Sequence, residues 1–482
     1  MTNVFTAVSF RLASSSFLLV GLATSVSPAV AQQRPSSIGP LSLAEAWERA
    51  ESKSDQLVIS GARKEQARGS ALETGSSRKP RLSAFSAYDR TLRSEFDGIM
   101  GFSPDSNASS DEESAEIPFG SAHAYRAGLT ATYTIFSGGR AVAESRAATS
   151  SRRAAELGHT STRAQVRLQV TEAYYDALLA DRLYAIAGWT LEQAESTYRR
   201  IAMVSGAGRA PEFDVVRAKA ARDRQLPVVI TREADRDIAL LRLRQLLHMP
   251  ATAELTLPSD VVGAMSRTPA IASDIASRQW VANRTAVREA AESVTRSEQL
   301  VHASQAGRLP AVTVTSTYER VAYPLEGRPS WNSSRANWTV GARVDFPVLT
   351  GGRQQGSDVQ ARAELDAARA RLRMTQQIAE LDTRSSLARL AAAEASFRAT
   401  ATSVEEAERA YGIAMLRYRE GVSIQLELSD ARLLVEQARA DQARAARDVS
   451  IERVRATLLS DLPLASNALA TSQSATARVS AP

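Results

Sequence analysis

Two hydrophobic rhythms run along this chain, one of period two in short stretches and one of period three and a half in very long ones. Tyr125, Ala127, Leu129, Ala131, Tyr133 and Ile135 are apolar, while Arg126, Gly128, Thr130, Thr132 and Thr134 between them are polar or small. Such alternation gives a β-strand two unlike faces. It returns at Trp338, Val340, Ala342, Val344 and Phe346, set against Thr339, Gly341, Arg343 and Asp345. Val312, Val314, Ser316 and Tyr318, alternating with Thr313, Thr315, Thr317 and Glu319, provide the hairpin partner of that strand. A fourth extended segment starts after Pro80 and is the least regular. Strands are expected at about residues 80–93, 123–136, 309–322 and 336–349. At roughly 3.3 Å per residue and barrel tilt, such strands are long enough to cross an outer membrane. Isolated hairpins are not stable, so the four strands must find each other or other chains.

The second rhythm is carried by Val166, Val170, Ala173, Ala177, Ala180, Tyr184, Ala187, Leu191, Ala194, Tyr198 and Ile201. Their four-three spacing is the seam of a left-handed coiled coil, and the alanines permit close helix approach. No proline interrupts residues 140–204 or 353–418. Each stretch predicts one helix of roughly 100 Å at 1.5 Å per residue. Returning helices are expected over 211–248 and 424–460, with a kink or break at Pro227, where the second helix has Ala440. Leu43 to about Ser77 is helical by composition.

Both rhythms occur twice because the chain contains itself twice. Ile135–Arg140 lies over Val348–Arg353 at an offset of 213, which also puts Tyr198 on Tyr411, Gly208 on Gly421, Asp214 on Glu427 and Pro250 on Pro463. Upstream the offset is 230, pairing Leu57 with Val287, Pro80 with Pro310 and Tyr88 with Tyr318. One architectural unit is therefore repeated, over residues 32–250 and 251–463. The change of offset falls between Arg90 and Gly128, where Phe96–Gly120 reads as an acidic outer loop. Residues 464–482 read as a disordered tail.

Composition narrows the setting. Arg11, the apolar run Leu12–Val26 and the small-residue site Ala29-Val30-Ala31 mark residues 1–31 as a secretory signal peptide. The chain has no cysteine, so neither a disulfide nor a lipid-modified cysteine is expected. The net charge of +6 comes from arginines interspersed with Asp and Glu along helices, which describes solvated faces rather than a nucleic-acid surface. His123, His159, His248 and His302 lie apart, which argues against a metal site. Gly138-Gly139 and Gly351-Gly352 precede arginine rather than Lys-Ser/Thr, so they are not phosphate loops; they serve a change of direction between strand and helix. No catalytic constellation emerges, and neither enzymatic activity nor a cofactor is expected.

Polar positions of interest lie in the turn after each long helix. Gly421 is placed to cap the helix before it and Ser423 to cap the one after. Glu427 and Asp430 then stand one turn apart on one face, an arrangement that also fits an ordinary acidic helix start.

The Phe136-x-Gly-Gly-Arg and Leu349-x-Gly-Gly-Arg junctions, the strand pairs feeding very long helices, and the twice-used Gly-x5-Asp/Glu-x3-Ala turn (Gly208, Asp214, Ala218; Gly421, Glu427, Ala431) resemble the TolC-like outer membrane efflux proteins across residues 41–463. The resemblance implies a mainly α fold with a membrane β-barrel portion. In a homotrimer, four strands per protomer would close a 12-stranded barrel in outer membrane lipid, above a periplasmic helical tunnel. It implies a periplasmic adaptor and an inner-membrane transporter as partners, an ABC transporter first and a proton-driven pump as the alternative. It also implies a pore constriction at Glu427 and Asp430. Tyr418 matches the family's gating tyrosine, whereas Ser423 stands where an arginine is expected; Arg417, Arg419 and Arg209 are available in its place. Asp214 matches the structural carboxylate of the first turn, and Arg217 falls where the second copy has Asp430. The function implied is a passive export duct, with type I protein secretion as the leading branch. A multidrug or metal tripartite pump is the alternative, and a soluble periplasmic coiled-coil scaffold is the outside one.

Overall fold

The computed structural model describes residues 40–92, 123–209, 211–258, 278–324 and 334–464. The expected signal peptide, the acidic loop at 96–120 and the tail from 465 onward lie outside the described residues. Helices α1 (Leu43–Lys53) and α2 (Asp55–Ser76) lead into strands β1 (Arg81–Arg90) and β2 (His123–Phe136), then α3 (Arg140–Gly206) and α4 (Glu212–Leu246). The second half follows with α5 (Arg278–Ala282), α6 (Thr285–Ala306), β3 (Ala311–Ala322), β4 (Arg335–Asp345), α7 (Arg353–Arg419) and α8 (Gln425–Leu458). The two long helices α3 and α7 are each 67 residues and start at arginines equivalent under the repeat.

One local expectation is corrected. The helix expected from Leu43 to Ser77 is two helices, because Ser54 leaves helical geometry (φ −65°, ψ 120°). The bend lets Ala46 and Ala50 of α1 and Leu57 of α2 all reach the core formed with Tyr174, Tyr175 and Leu178 of α3. In contrast, α4 runs unbroken through Pro227. Proline removes a single backbone donor there, and buried Ala218, Gln225 and Leu243 hold the helix on either side.

Leading segments of both copies grip a long helix with different residues but the same chemistry. Trp47 Nε1 donates to the Arg167 carbonyl (3.2 Å) and the Thr171 hydroxyl (3.0 Å) on α3. The fully buried Arg284 donates to the Ala379 carbonyl (3.1 Å) and the Thr383 hydroxyl (3.2 Å) on α7, and pairs with Asp382 at 2.9 Å. The coiled-coil seam of α3 is apolar and inward: Val166, Val170, Ala173, Ala177, Ala187, Ala194 and Ile201 are buried. α3 touches α2, α4, α6 and α8, and α7 packs on α6 and α8.

The four strands form one antiparallel sheet in the order β1-β2-β3-β4. β1, irregular in sequence, pairs without interruption from Arg81↔Thr132 to Arg90↔His123. The central pair, β2 with β3, joins the two copies. Leu82, Tyr88, Leu129, Tyr133, Tyr318, Trp338, Val340 and Val344 share one face and are 40–74% exposed. Ser83, Thr130, Thr132, Thr315, Thr317 and Thr339 share the other. On the apolar face Tyr88 and Tyr125 share a row toward one end, Tyr318 and Trp338 share the mid-height row with Leu129, and Tyr133 lies toward the other end. The outer edges of β1 and β4 have no strand partner among the described residues.

Candidate functional site at the helical tip

Both long helices end with the same backbone device. The Gly208 amide bonds the Ser205 carbonyl and the Arg209 amide that of Val204; the Gly421 amide bonds Tyr418 and the Val422 amide bonds Arg417. This is a Schellman closure, and it requires Gly208 (φ 72°) and Gly421 (φ 74°) in the left-handed region. At the opposite ends Gly139 and Gly352 are the N-caps of α3 and α7, at φ 87° and 84°. Each follows another left-handed glycine, Gly138 or Gly351.

The turn after α7 departs from expectation at Ser423. The N-cap of α8 is Ile424, with no side-chain bond. Ser423 lies one residue too early to cap, and its hydroxyl donates instead to the Glu427 carboxylate. Arg417 Nη1 donates to the other Glu427 oxygen at 2.9 Å. Of the three arginines considered, Arg417 is thus the one engaged in this turn. Both side chains are nearly half exposed, so the pair is worth at most about 1 kcal/mol. Asp430, a turn further on, is exposed and has no ion-pair partner among the described residues.

Tyr418 faces the first copy. Burial raises its phenol above the ordinary value; Asp214 adds to that shift, and Arg200 opposes it. Asp214 and Arg217 stand half-buried near the start of α4, and neither makes an ion pair among the described residues.

Two helical turns back from Tyr418 lies a contact between copies that sequence reading missed. The Trp189 and Tyr411 rings meet edge to face at 5.8 Å, and the Tyr411 hydroxyl donates to Gln193 Oε1 at 3.4 Å. The Arg439 guanidinium lies 4.6 Å over the Trp189 ring, held there by bonds of 2.9 and 2.7 Å to Glu408. At the equivalent place in the first copy, Tyr198 lies under Arg222 of its own helix pair, at 4.9 Å. The available signal was a failure of the repeat: Trp189 falls on Thr402, and Arg439 on Leu226. Further along α8, Arg447 bonds Asp176 (2.8 Å) and Arg455 bonds Glu172 (3.0 Å), both on α3. One stripe of α8 therefore reaches the first copy at Arg439, Arg447 and Arg455.

No grouping of His, Asp or Glu able to hold a metal occurs among the described residues. No helix among them is long and apolar enough to cross a membrane. A sheet with one apolar exposed face, set on a duplicated pair of very long helices, defines the class of outer membrane channels that continue into a periplasmic tunnel. The chain belongs to the outer membrane efflux protein family, whose sequence profile matches residues 47–247 and 276–459, one stretch in each copy. It is similar to the pyoverdine export outer membrane protein OpmQ of Pseudomonas aeruginosa, 25% identical over 409 residues that span 83% of this chain and 81% of OpmQ. Its fold matches CusC with a TM-score of 0.72 at 16% identity, over 86% of this chain and 91% of that one. VceC of Vibrio cholerae matches with a TM-score of 0.68 at 21% identity, over 87% and 96%. The fold is TolC-like, the location is the outer membrane, and the role is transport rather than catalysis.

Proposed function

We propose that three copies of this chain close their sheets into one barrel and export small molecules together with a periplasmic adaptor and an inner-membrane pump. The observation that carries this reading is the four-stranded sheet with an exposed apolar face, whose two outer edges have no strand partner among the described residues. An open strand edge cannot persist in lipid, so β4 of one copy must find β1 of the next. Similarity to a pyoverdine exporter favours a small-metabolite cargo over the protein secretion expected from the sequence.

In this reading Glu427 and Asp430 line the constriction, repeated around the threefold axis. Arg417 already neutralises Glu427, which leaves Asp430 as the unscreened charge of the pore. Opening moves α7 and α8 relative to α3 and α4, with Tyr418 and the Trp189–Arg439 contact as the restraints to be released.

Deleting the gene should raise intracellular accumulation of a small exported compound and sensitivity to it, and leave the secreted proteins unchanged. Loss of a particular secreted protein, with drug and metabolite export intact, would reverse the choice of cargo.

A further inference from the structure

The polar face of the sheet is not uniform from end to end. One row across its middle, Ser83, Thr130, Thr317 and Thr339, is uncharged, and the next row toward the helices adds Thr132, Thr315 and Gly341 beside Arg81. At the end away from the helices the described charges balance in number: Arg126 pairs with Asp89, and Glu319, which accepts from Asn337 at 3.1 Å, has Arg335 in the next row of the same face. At the end that leads into the helices they do not. Arg81 is the first residue of β1, and Arg343 stands two residues before the end of β4. Both lie on the polar face, opposite Thr132 and Thr313. Both are exposed, and neither has a hydrogen-bond or ion-pair partner among the described residues. Asp345 shares their face and end, also without a partner.

These two arginines occupy the two open edges of the sheet. Closing β4 onto β1 of the next copy brings Arg343 and Arg81 of different copies to the same seam, near the base of the barrel. Each seam then holds two guanidinium groups against one carboxylate, three times around the lumen. Rings of arginine favour anions in a pore.

We propose that Arg81 and Arg343 form an anion-selecting collar at the barrel base, which a cargo bearing carboxylate or comparable anionic groups traverses after the acidic tip. This inference rests on the trimeric duct proposed above. It gives the duct two selectivity steps of opposite sign, so the tip charge alone does not decide what leaves the cell.

The absence of cysteine makes the test clean. Full-length wild type, Arg81→Cys and Arg343→Cys are inserted separately into planar bilayers under a KCl gradient. Ionic strength is kept near 0.1 M, where the screening length is about 10 Å. Each cysteine variant should shift the reversal potential toward cation selectivity. A trimethylammonium-ethyl thiosulfonate should then restore the wild-type potential, and a sulfonate-ethyl thiosulfonate should move it further from wild type. Asp345→Asn should shift it the opposite way, toward anions. Conducting channels whose reversal potential ignores all of these changes overturn the collar while leaving the duct intact. Wild-type protein that forms no channel at all overturns the duct, and the collar with it.

Discussion

Arg439 of α8 lies 4.6 Å over the indole of Trp189 on α3, and this contact joins the returning helix of the second copy to the long helix of the first. Glu408 on α7 fixes the guanidinium, so one stacked group ties three helices together. A cation over an indole contributes about 0.5–2 kcal/mol, and an edge-to-face aromatic pair about 0.5–1.5 kcal/mol. Removing Trp189 therefore releases two restraints between copies at once. Trp189→Ala is expected to raise the frequency of open-state events in single-channel recordings while trimer yield stays unchanged. Trp189→Phe, which keeps a ring beside Tyr411, should fall between. Recordings of Trp189→Ala that match wild type would remove this contact from the gating account.

At the tip, Arg417 and Ser423 share the Glu427 carboxylate. Arg417→Gln exposes one more negative charge per copy and should increase cation selectivity. Glu427→Gln with Asp430→Asn should reduce it. Equal reversal potentials for the three proteins would place these carboxylates outside the constriction.

The start of α7 carries a polar latch that the first copy lacks. Asp358 accepts from the Ser304 hydroxyl (2.6 Å), from Arg308 and from Gln354 (3.2 Å), where the first copy has Ser145. The Ser304 bond foremost, then Arg308 and Gln354, hold its carboxyl below the ordinary value of 3.8, against the opposing effect of burial. A depressed folded-state value stabilises the fold above the unfolded-state value, and that contribution disappears as pH falls through the folded-state value. Asp358→Asn should lower the melting temperature at neutral pH, and the gap from wild type should close in strong acid. A gap that persists unchanged there would assign the loss to packing instead.

Equivalent glycines should respond unequally. A Cβ on Gly138 would lie 2.8 Å from the Ala306 carbonyl oxygen and 2.7 Å from Leu309 Cβ, whereas one on Gly351 would meet nothing within 4 Å. Both are left-handed, at φ 64° and 57°. Gly351→Ala should cost only the backbone penalty of about 1–2 kcal/mol. Gly138→Ala adds the clash and should show the larger drop in melting temperature and trimer yield.

The architecture was readable because each kind of element has its own period and occurs twice. Thr130 between Leu129 and Ala131 announces a strand face, and Val166 to Ile201 a coiled-coil seam, without any tertiary information. The bend at Ser54 was not readable, since serine is tolerated within helices and the bend exists to bring α1 and α2 onto the same core. At Pro227 the helix is not broken, because the packing of Ala218, Gln225 and Leu243 outweighs the loss of one backbone bond. Ser423 has the composition of a cap, but Glu427 competes for its hydroxyl. The Trp189–Arg439 contact spans 250 residues of sequence, and no local pattern encodes it. It was visible only as a mismatch between copies.

The central claim is that three chains close one barrel across the β1 and β4 edges. Native mass spectrometry of the protein released from outer membranes in mild detergent measures this directly. The account predicts one species containing three protomers. A monomer or dimer in that extract would contradict it.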